Sequence, residues 1–206
     1  MDNLVIGNYK ANPIHLKPVL YHMKISGMNG KYLLLGSNLG ERPGNIRTAL
    51  ERIGGKAGKI ISCSSFYNTS SWGISGLPDF CNLAARIETD LEPLRLLENL
   101  LRIEETMGRI RDKKWESRII DIDILYYDDL ILDLPGLKVP HPRIPFRRFA
   151  LVPLTEIAPL EIHPGLGLTH EELLMKTTDN GKVEKMNFLS ETGNGTFRRD
   201  LFNEPL

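Results

Sequence analysis

The sequence predicts an α+β fold: a ferredoxin-like split βαβ core, with a mainly antiparallel sheet covered by helices on both faces in three αβα layers. Three observations predict it. Short runs of β-branched and aromatic residues alternate with two long amphipathic patterns. The chain opens as strand, helix, strand. A further strand then follows before the second helix, so two strands pair between the helices. The 206 residues, 41% hydrophobic and 25% charged, match one ordinary globular domain rather than a fibrous or disordered chain.

The elements follow in order. A strand begins at Lys31-Tyr32-Leu33-Leu34-Leu35 and stops at Gly36-Ser37-Asn38-Leu39-Gly40, which reads as a turn and helix cap. That loop lacks the Gly-Lys-Ser/Thr ending of a P-loop and the spacing of a dinucleotide site. The next helix carries Ile46, Ala49, Leu50 and Ile53 on one face and is expected to end at Gly54-Gly55. Strands are expected from Ile60 to Tyr67 and from Asn82 to Glu88, with a loop over Thr69 to Pro78. Pro93 opens the strongest helix, with Leu94, Leu97, Leu100, Leu101 and Ile103 toward the core and an end near Gly108. A basic loop, a strand from Ile119 to Tyr127, Pro140-His141-Pro142 and a second basic run at Arg147-Arg148 come next. A last helix is expected from about Thr169. Residues 1–30 keep no period and read as an extension, 31–185 as the domain, and 186–206 as a tail. Met28, just ahead of the first strand, is a candidate start of the natural chain.

Composition narrows the function. Twenty-six basic and 26 acidic side chains cancel, which leaves no global field for nucleic acid or an anionic membrane, so any anion site must be local. No apolar run reaches the ~18 residues of a membrane span, and residues 1–30 do not read as a secretory signal. Cys63 and Cys81 are expected as buried thiols, and the expected location is the cytoplasm.

Chemistry concentrates between Arg109 and Asp123. Strand alternation sets Asp121 and Asp123 on one face and Ile120, Ile122 and Ile124 on the other. Two neighbouring carboxylates repel unless a cation lies beside them, and five basic side chains crowd the stretch from Arg109 to Arg118. Mg²⁺ suits such a pair, because it takes one or two carboxylates and completes its shell with water and phosphate oxygens. An Asp-x-Asp pair can equally be the solvated face of an edge strand. The second basic group, His141, Arg143, Arg147 and Arg148, favours a polyphosphate site. Phe80, Asn82, Trp72 and Phe149 are flat rings and an amide able to meet a heterocycle, although spacing alone explains each ring as core packing. His163 and His170 have no such company, and no His/Cys spacing suggests zinc.

From about Lys31 to Leu174 the chain resembles the 6-hydroxymethyl-7,8-dihydropterin pyrophosphokinase family. The resemblance rests on Gly36-Ser37-Asn38-Leu39, Ser65-Phe66-Tyr67 with Thr69, Asp79-Phe80-Cys81-Asn82, Arg102-Ile103-Glu104 and Gly108-Arg109. It continues through Arg118 to Asp123, Val139-Pro140-His141, Arg147 with Phe149, Pro153-Leu154 and Glu156-Ile157-Ala158-Pro159. It implies a magnesium-dependent transfer of pyrophosphate from ATP to a pterin alcohol in folate biosynthesis, with release of AMP. It further implies that Asp121 and Asp123 hold two Mg²⁺ ions, and that Arg109 and Arg118 clamp the transferred group and the leaving AMP from a mobile loop. Glu104, Arg111, Trp115, Arg118, His141 and Arg147 would line the nucleotide. Phe80 and Phe149 would sandwich the pterin, Thr69 and Asn82 would bond its edge, and Trp72 and Gly73 would lie in the closing loop. The expected partners are these small molecules, with no nucleic acid or membrane, and the expected state is a monomer.

The chain departs from the family pattern at Glu116, where Gly or Ala is usual, and at Pro142, where Tyr is frequent. Glu116 puts a charge beside the phosphate clamp, which leaves an idle homologue as an alternative. A single-strand-binding module is a second reading, against which stand the zero net charge and the missing Lys/Arg-Gly-aromatic run. A nucleotidyl or glycosyl transferase is a third, and it leaves the rings and Asn82 unexplained.

Overall fold

The computed structural model describes residues 30–70, 78–109 and 117–187. Within them, one antiparallel sheet takes the order β5-β1-β4-β3-β8, and β2 also pairs with β4. The strands are β1 (Lys31–Ser37), β2 (Lys59–Cys63), β3 (Tyr67–Thr69), β4 (Phe80–Glu88), β5 (Asp121–Tyr127) and β8 (Val183–Lys185). A separate two-stranded ribbon pairs β6 (Leu132–Leu134) with β7 (Leu137–Val139). Helices α1 (Arg42–Lys56) and α2 (Pro93–Thr106) cover one face, while α3 (Arg148–Ile157) and α4 (His170–Lys176) lie on the other. The three-layer α+β expectation is met.

Two apolar cores follow from that layering. Leu33, Leu35, Leu83, Ala85, Ile122 and Ile124 pack beneath Ile46, Leu50, Ile53, Leu96, Leu100 and Ile103. The opposite face packs Leu34, Ala84 and Leu125 against Leu151 and Leu154. Alternation holds along β5 until a register shift opposite Tyr32 and Leu33, where Leu125 is unpaired and Tyr126 falls on the same face.

Several expected boundaries shift for physical reasons. Gly54 and Gly55 lie inside α1, which runs to Lys56; the chain turns instead at Gly58, whose φ of +150° only glycine adopts easily. The run from Ile60 to Tyr67 is two strands, because Ser64 breaks the ladder: its N–H donates to Ala84 O, and its hydroxyl accepts from Ala84 N–H and donates to Ser65 O. On α2 the buried stripe is Leu96, Leu100, Ile103 and Glu104, whereas Leu94 is exposed and Leu97 and Leu101 are only half-buried. α4 starts at the expected place, where Thr169 and Glu172 form a reciprocal capping box. Cys81 is buried and Cys63 half-buried; both are free thiols, pushed up to about 11 and about 12 by burial. Met28, Trp72, Gly73, Arg111, Trp115 and Glu116 lie outside the described residues. No described helix is long and apolar enough to cross a membrane.

The second core encloses two histidines. His170 is fully buried, and its Nδ1 pairs with Ala158 O at 2.7 Å, while Nε2 has no partner among the described residues. Protonation of His170 would bury a charged donor without an acceptor, and burial lowers both His170 and His163 to about 4. A depressed histidine adds stability above its unfolded value of about 6.5, and that stability is lost as pH falls toward 4. His170→Asn retains a donor for Ala158 O and removes the titration. Urea unfolding of this variant should lose less stability between pH 6.5 and 4 than wild type does, by on the order of 2–3 kcal/mol. Parallel curves for the two proteins would refute the assignment.

Candidate active site

The site face is built by register. Gly36 of β1 lies opposite Asn82 of β4 on one side and Asp121 of β5 on the other, and Asn82 in turn faces Tyr67 of β3. Paired residues in an antiparallel sheet project to the same face, so Asp121, Gly36, Asn82 and Tyr67 form one row. The next row holds Asp123, Leu34 and Ala84. Gly36 keeps the row clear: an added Cβ would lie 2.7 Å from Asn82 Oδ1 and push that amide aside. Asn82 and Thr69 are both buried, and the Asn82 amide donates to Thr69 Oγ1 at 2.7 Å. Phe80 pairs with Thr69 at the end of β4, and Phe149 lies on α3 beneath the Arg147 guanidinium, 5.3 Å from its ring centre.

β5 is the edge strand of the sheet, and its acidic pair meets a ring of cations. Arg109 bridges Glu104 Oε1 and Asp121 Oδ1, the latter at 2.6 Å, and Arg118 pairs with Asp121 Oδ2. Arg147 approaches Asp123 Oδ2 at 3.8 Å. Glu104 is buried, and its Oε1 also accepts the Ile122 N–H at 2.7 Å, a donor that β1 leaves free at the sheet edge. Glu104 thus lies under the acidic pair, tying Arg109 to the strand, rather than on an open wall.

Asp123 carries the strain of the arrangement. Desolvation first, and the Asp121 carboxylate second, hold it above the usual carboxylate range against the pull of Arg147. Its side chain still keeps 36% exposure, which leaves it open to a cation arriving from solvent. Hard oxygen donors on one strand face, one of them short of positive charge, fit Mg²⁺. Among the described residues no group of three or more His, Cys, Asp or Glu could hold a metal ion unaided. Mg²⁺ needs no such cage, because water and phosphate oxygens complete its octahedron.

His141 follows the cis Val139–Pro140 bond, and its N–H donates to Leu125 O at 2.8 Å. Its Nδ1 accepts the Arg143 N–H at 3.2 Å, so the ring proton resides on Nε2. Burial and then Arg147 and Arg143 lower it to about 4, leaving it a neutral donor at pH 7. Burial likewise lowers Arg147, which stays charged at that pH.

Sequence reasoning did not assign Gly36, Asn38 or Glu156 to the site. Glu156 of α3 accepts from Ser65 N–H, Ser65 Oγ, Tyr67 Oη and Lys185 Nζ, at 2.7–2.9 Å, and so fastens β3, the strand of Thr69. A lone Glu after an apolar stretch carried no signal of that convergence.

A family model described as 7,8-dihydro-6-hydroxymethylpterin-pyrophosphokinase (HPPK) matches residues 32–159. A 2-amino-4-hydroxy-6-hydroxymethyldihydropteridine pyrophosphokinase of Haemophilus influenzae is 38% identical over 157 residues, 76% of this chain and 97% of that protein. The folic acid synthesis protein FOL1 of Dictyostelium discoideum is 37% identical over 161 residues, which is 78% of this chain but only 24% of FOL1. The wild-type HPPK-DHPS crystal structure of Plasmodium falciparum shares the fold at a TM-score of 0.60 and 19% identity, across 72% of this chain and 44% of that one.

The raised Asp123 has a measurable consequence. A carboxyl raised in the folded state favours folding at low pH, and that contribution is lost as pH rises from about 4 through the raised value. Asp123→Asn removes the penalty, so without Mg²⁺ its thermal midpoint should exceed that of wild type at pH 8 and approach it at pH 5. An equal offset at both values would show that Asp123 is not strained by charge.

Proposed function

The chain belongs to the 7,8-dihydro-6-hydroxymethylpterin-pyrophosphokinase family and transfers pyrophosphate to a hydroxymethyldihydropterin in folate biosynthesis, and from that premise we propose which of its residues perform the transfer. Enzymes of this family use ATP and Mg²⁺. The substrate hydroxyl attacks the β-phosphorus, a new O–Pβ bond forms, the bond from Pβ to the α,β-bridging oxygen breaks, the hydroxyl proton is released and AMP leaves. A reaction of this kind asks the protein for positioning and charge neutralisation rather than a covalent nucleophile.

The observation that carries the assignment is the row Asp121, Gly36, Asn82, which sets an acidic pair and a buried amide on one strand face with no side chain between them. Asp121 and Asp123 are the ligands for two Mg²⁺ ions, which when bound would supply charge neutralisation for the ATP phosphates. Arg109 and Arg118 then serve the transferred group and the leaving AMP, with bidentate forks suited to phosphate. His141, as a neutral Nε2 donor, and Arg147 hold the nucleotide, together with Arg111 and Trp115. Glu104 acts on the nucleotide through Arg109, which it orients. Phe80 and Phe149 sandwich the pterin, Thr69 and Asn82 bond its edge, and Trp72 and Gly73 belong to the loop that covers it. We take residues 31–185 as the catalytic domain and 1–30 and 186–206 as an extension and a tail, in a monomeric cytoplasmic enzyme.

The deciding experiment is AMP release from ATP and Mg²⁺ with and without 6-hydroxymethyl-7,8-dihydropterin. Pterin-dependent AMP is expected; retained ATP binding without AMP would point to an idle homologue. Asp121→Ala and Asp123→Ala should each abolish turnover in a folded protein, and near-normal Mg²⁺-dependent rates in both would sink the metal assignment. Arg118→Ala should cost about 2.7–4 kcal/mol in kcat, the scale for losing one preorganised donor. Gly36→Ala forces the Asn82 amide aside and should raise KM for the pterin more than KM for ATP; equal changes in both would remove Asn82 from the pterin site.

A further inference from the structure

We propose that Asn38 is a positioning residue that holds Arg118 in place for the transfer. The inference rests on the reading of Arg118 as a phosphate clamp. In sequence, Asn38 looks like part of a turn capping α1. In the structure it serves a different end, because the N-cap of α1 is Glu41, with no side-chain cap bond, and the Asn38 side chain bonds the segment ahead of β5. Its Oδ1 accepts the Arg118 N–H at 2.6 Å, its own N–H donates to Arg118 O at 3.1 Å, and its Nδ2 donates to Ser117 Oγ at 3.2 Å. Both main-chain polar groups of Arg118 are therefore bound by one residue, itself buried with 3% exposure.

The anchor is rigid on the other side. Asn38 directly follows β1, the strand between β4 and β5. Its turn is fastened from α1, where Asn45 Nδ2 donates to Ser37 Oγ at 3.1 Å and to Leu39 O at 2.8 Å. The stiffness of the central sheet thus passes through Asn38 to the backbone of a residue whose guanidinium lies on Asp121. Such preorganisation matters in phosphoryl-type transfer, where an error of about 1 Å in a positioned group can cost roughly 10²-fold. Asn38 touches neither substrate nor metal in this account; it acts through Arg118.

The test is a double-mutant cycle on the full chain, with pterin-dependent AMP release as the rate and amide exchange at the Arg118 N–H as a readout independent of turnover. Asn38→Ala should lower kcat by about 10²-fold with little change in either KM. It should also speed exchange at Arg118, and in an Arg118→Ala background it should cost almost nothing further. Asn38→Asp, which keeps the acceptor for the Arg118 N–H, should restore part of the protection and the rate. If Asn38→Ala does not fold, Asn38→Ser takes its place, being too short to reach that N–H. Losses that multiply in the Arg118→Ala background, wild-type kcat in Asn38→Ala, or unchanged Arg118 exchange would each overturn the proposal. A wild-type enzyme that makes no pterin-dependent AMP would overturn the reading beneath it, an outcome told apart because it appears before any substitution.

Discussion

Two carboxylates two residues apart on one strand face repel each other, and much of this molecule answers that repulsion. Alternation along β5 makes the juxtaposition of Asp121 and Asp123 unavoidable once Ile120, Ile122 and Ile124 are committed to the core. Arg109 and Arg118 take the two oxygens of Asp121, Arg147 stands off Asp123, and Glu104 holds Arg109 from below. The compensation is uneven. Asp121 holds two close arginines, while Asp123 has Arg147 at 3.8 Å and a weaker pull from Arg109, and its carboxyl is held above the usual carboxylate range. A hard divalent cation would offset the negative charge that the arginines leave on so unbalanced a pair.

The sheet also sets a buried amide beside an acidic pair without a wall between them. Gly36 does so by lacking a side chain in the row that joins Asp121 to Asn82. The strands that frame this row are fixed from both layers: α1 and α2 pack on the hidden face, while Glu156 of α3 gathers Ser65, Tyr67 and Lys185 on the open one. β8, contributed from far along the chain, pairs with β3 and secures the strand of Thr69.

The parts legible in the sequence are those governed by local pattern. The acidic pair and its opposing isoleucines followed from strand alternation, and Thr169 with Glu172 announced α4 through chemistry contained within four residues. α3 was not legible, because Pro153 within it, Pro145 before it and Pro159 after it read as breaks. Nor was β8, a polar three-residue strand whose only reason to exist is its partner. Asn38 and Gly36 were visible as a strand end and a turn, yet their roles depend on Arg118 and Asn82, residues distant in sequence that only the register brings near. Leu94 misled because a leucine next to a helix start looks like core, whereas the stripe actually buried is set by Leu96, Leu100 and Ile103, and carries Glu104 with it.

The same layering separates what stability and activity ask of pH. His163 and His170, sealed in the second core, favour the folded state as pH rises from about 4 to 6.5. Asp123, on the site side of that same sheet face, disfavours it as pH rises above about 4. The two slopes oppose each other in one window, so a flat stability profile for the intact protein is compatible with large individual contributions. The opposition is broken by whatever brings positive charge to Asp123. A cation bound there would favour its ionised form and reduce its penalty without acting on His163 and His170. Under the metal assignment proposed above, tolerance of neutral pH is coupled to occupancy of the site, because the strained carboxylate that weakens the free protein is the one a cation would relieve.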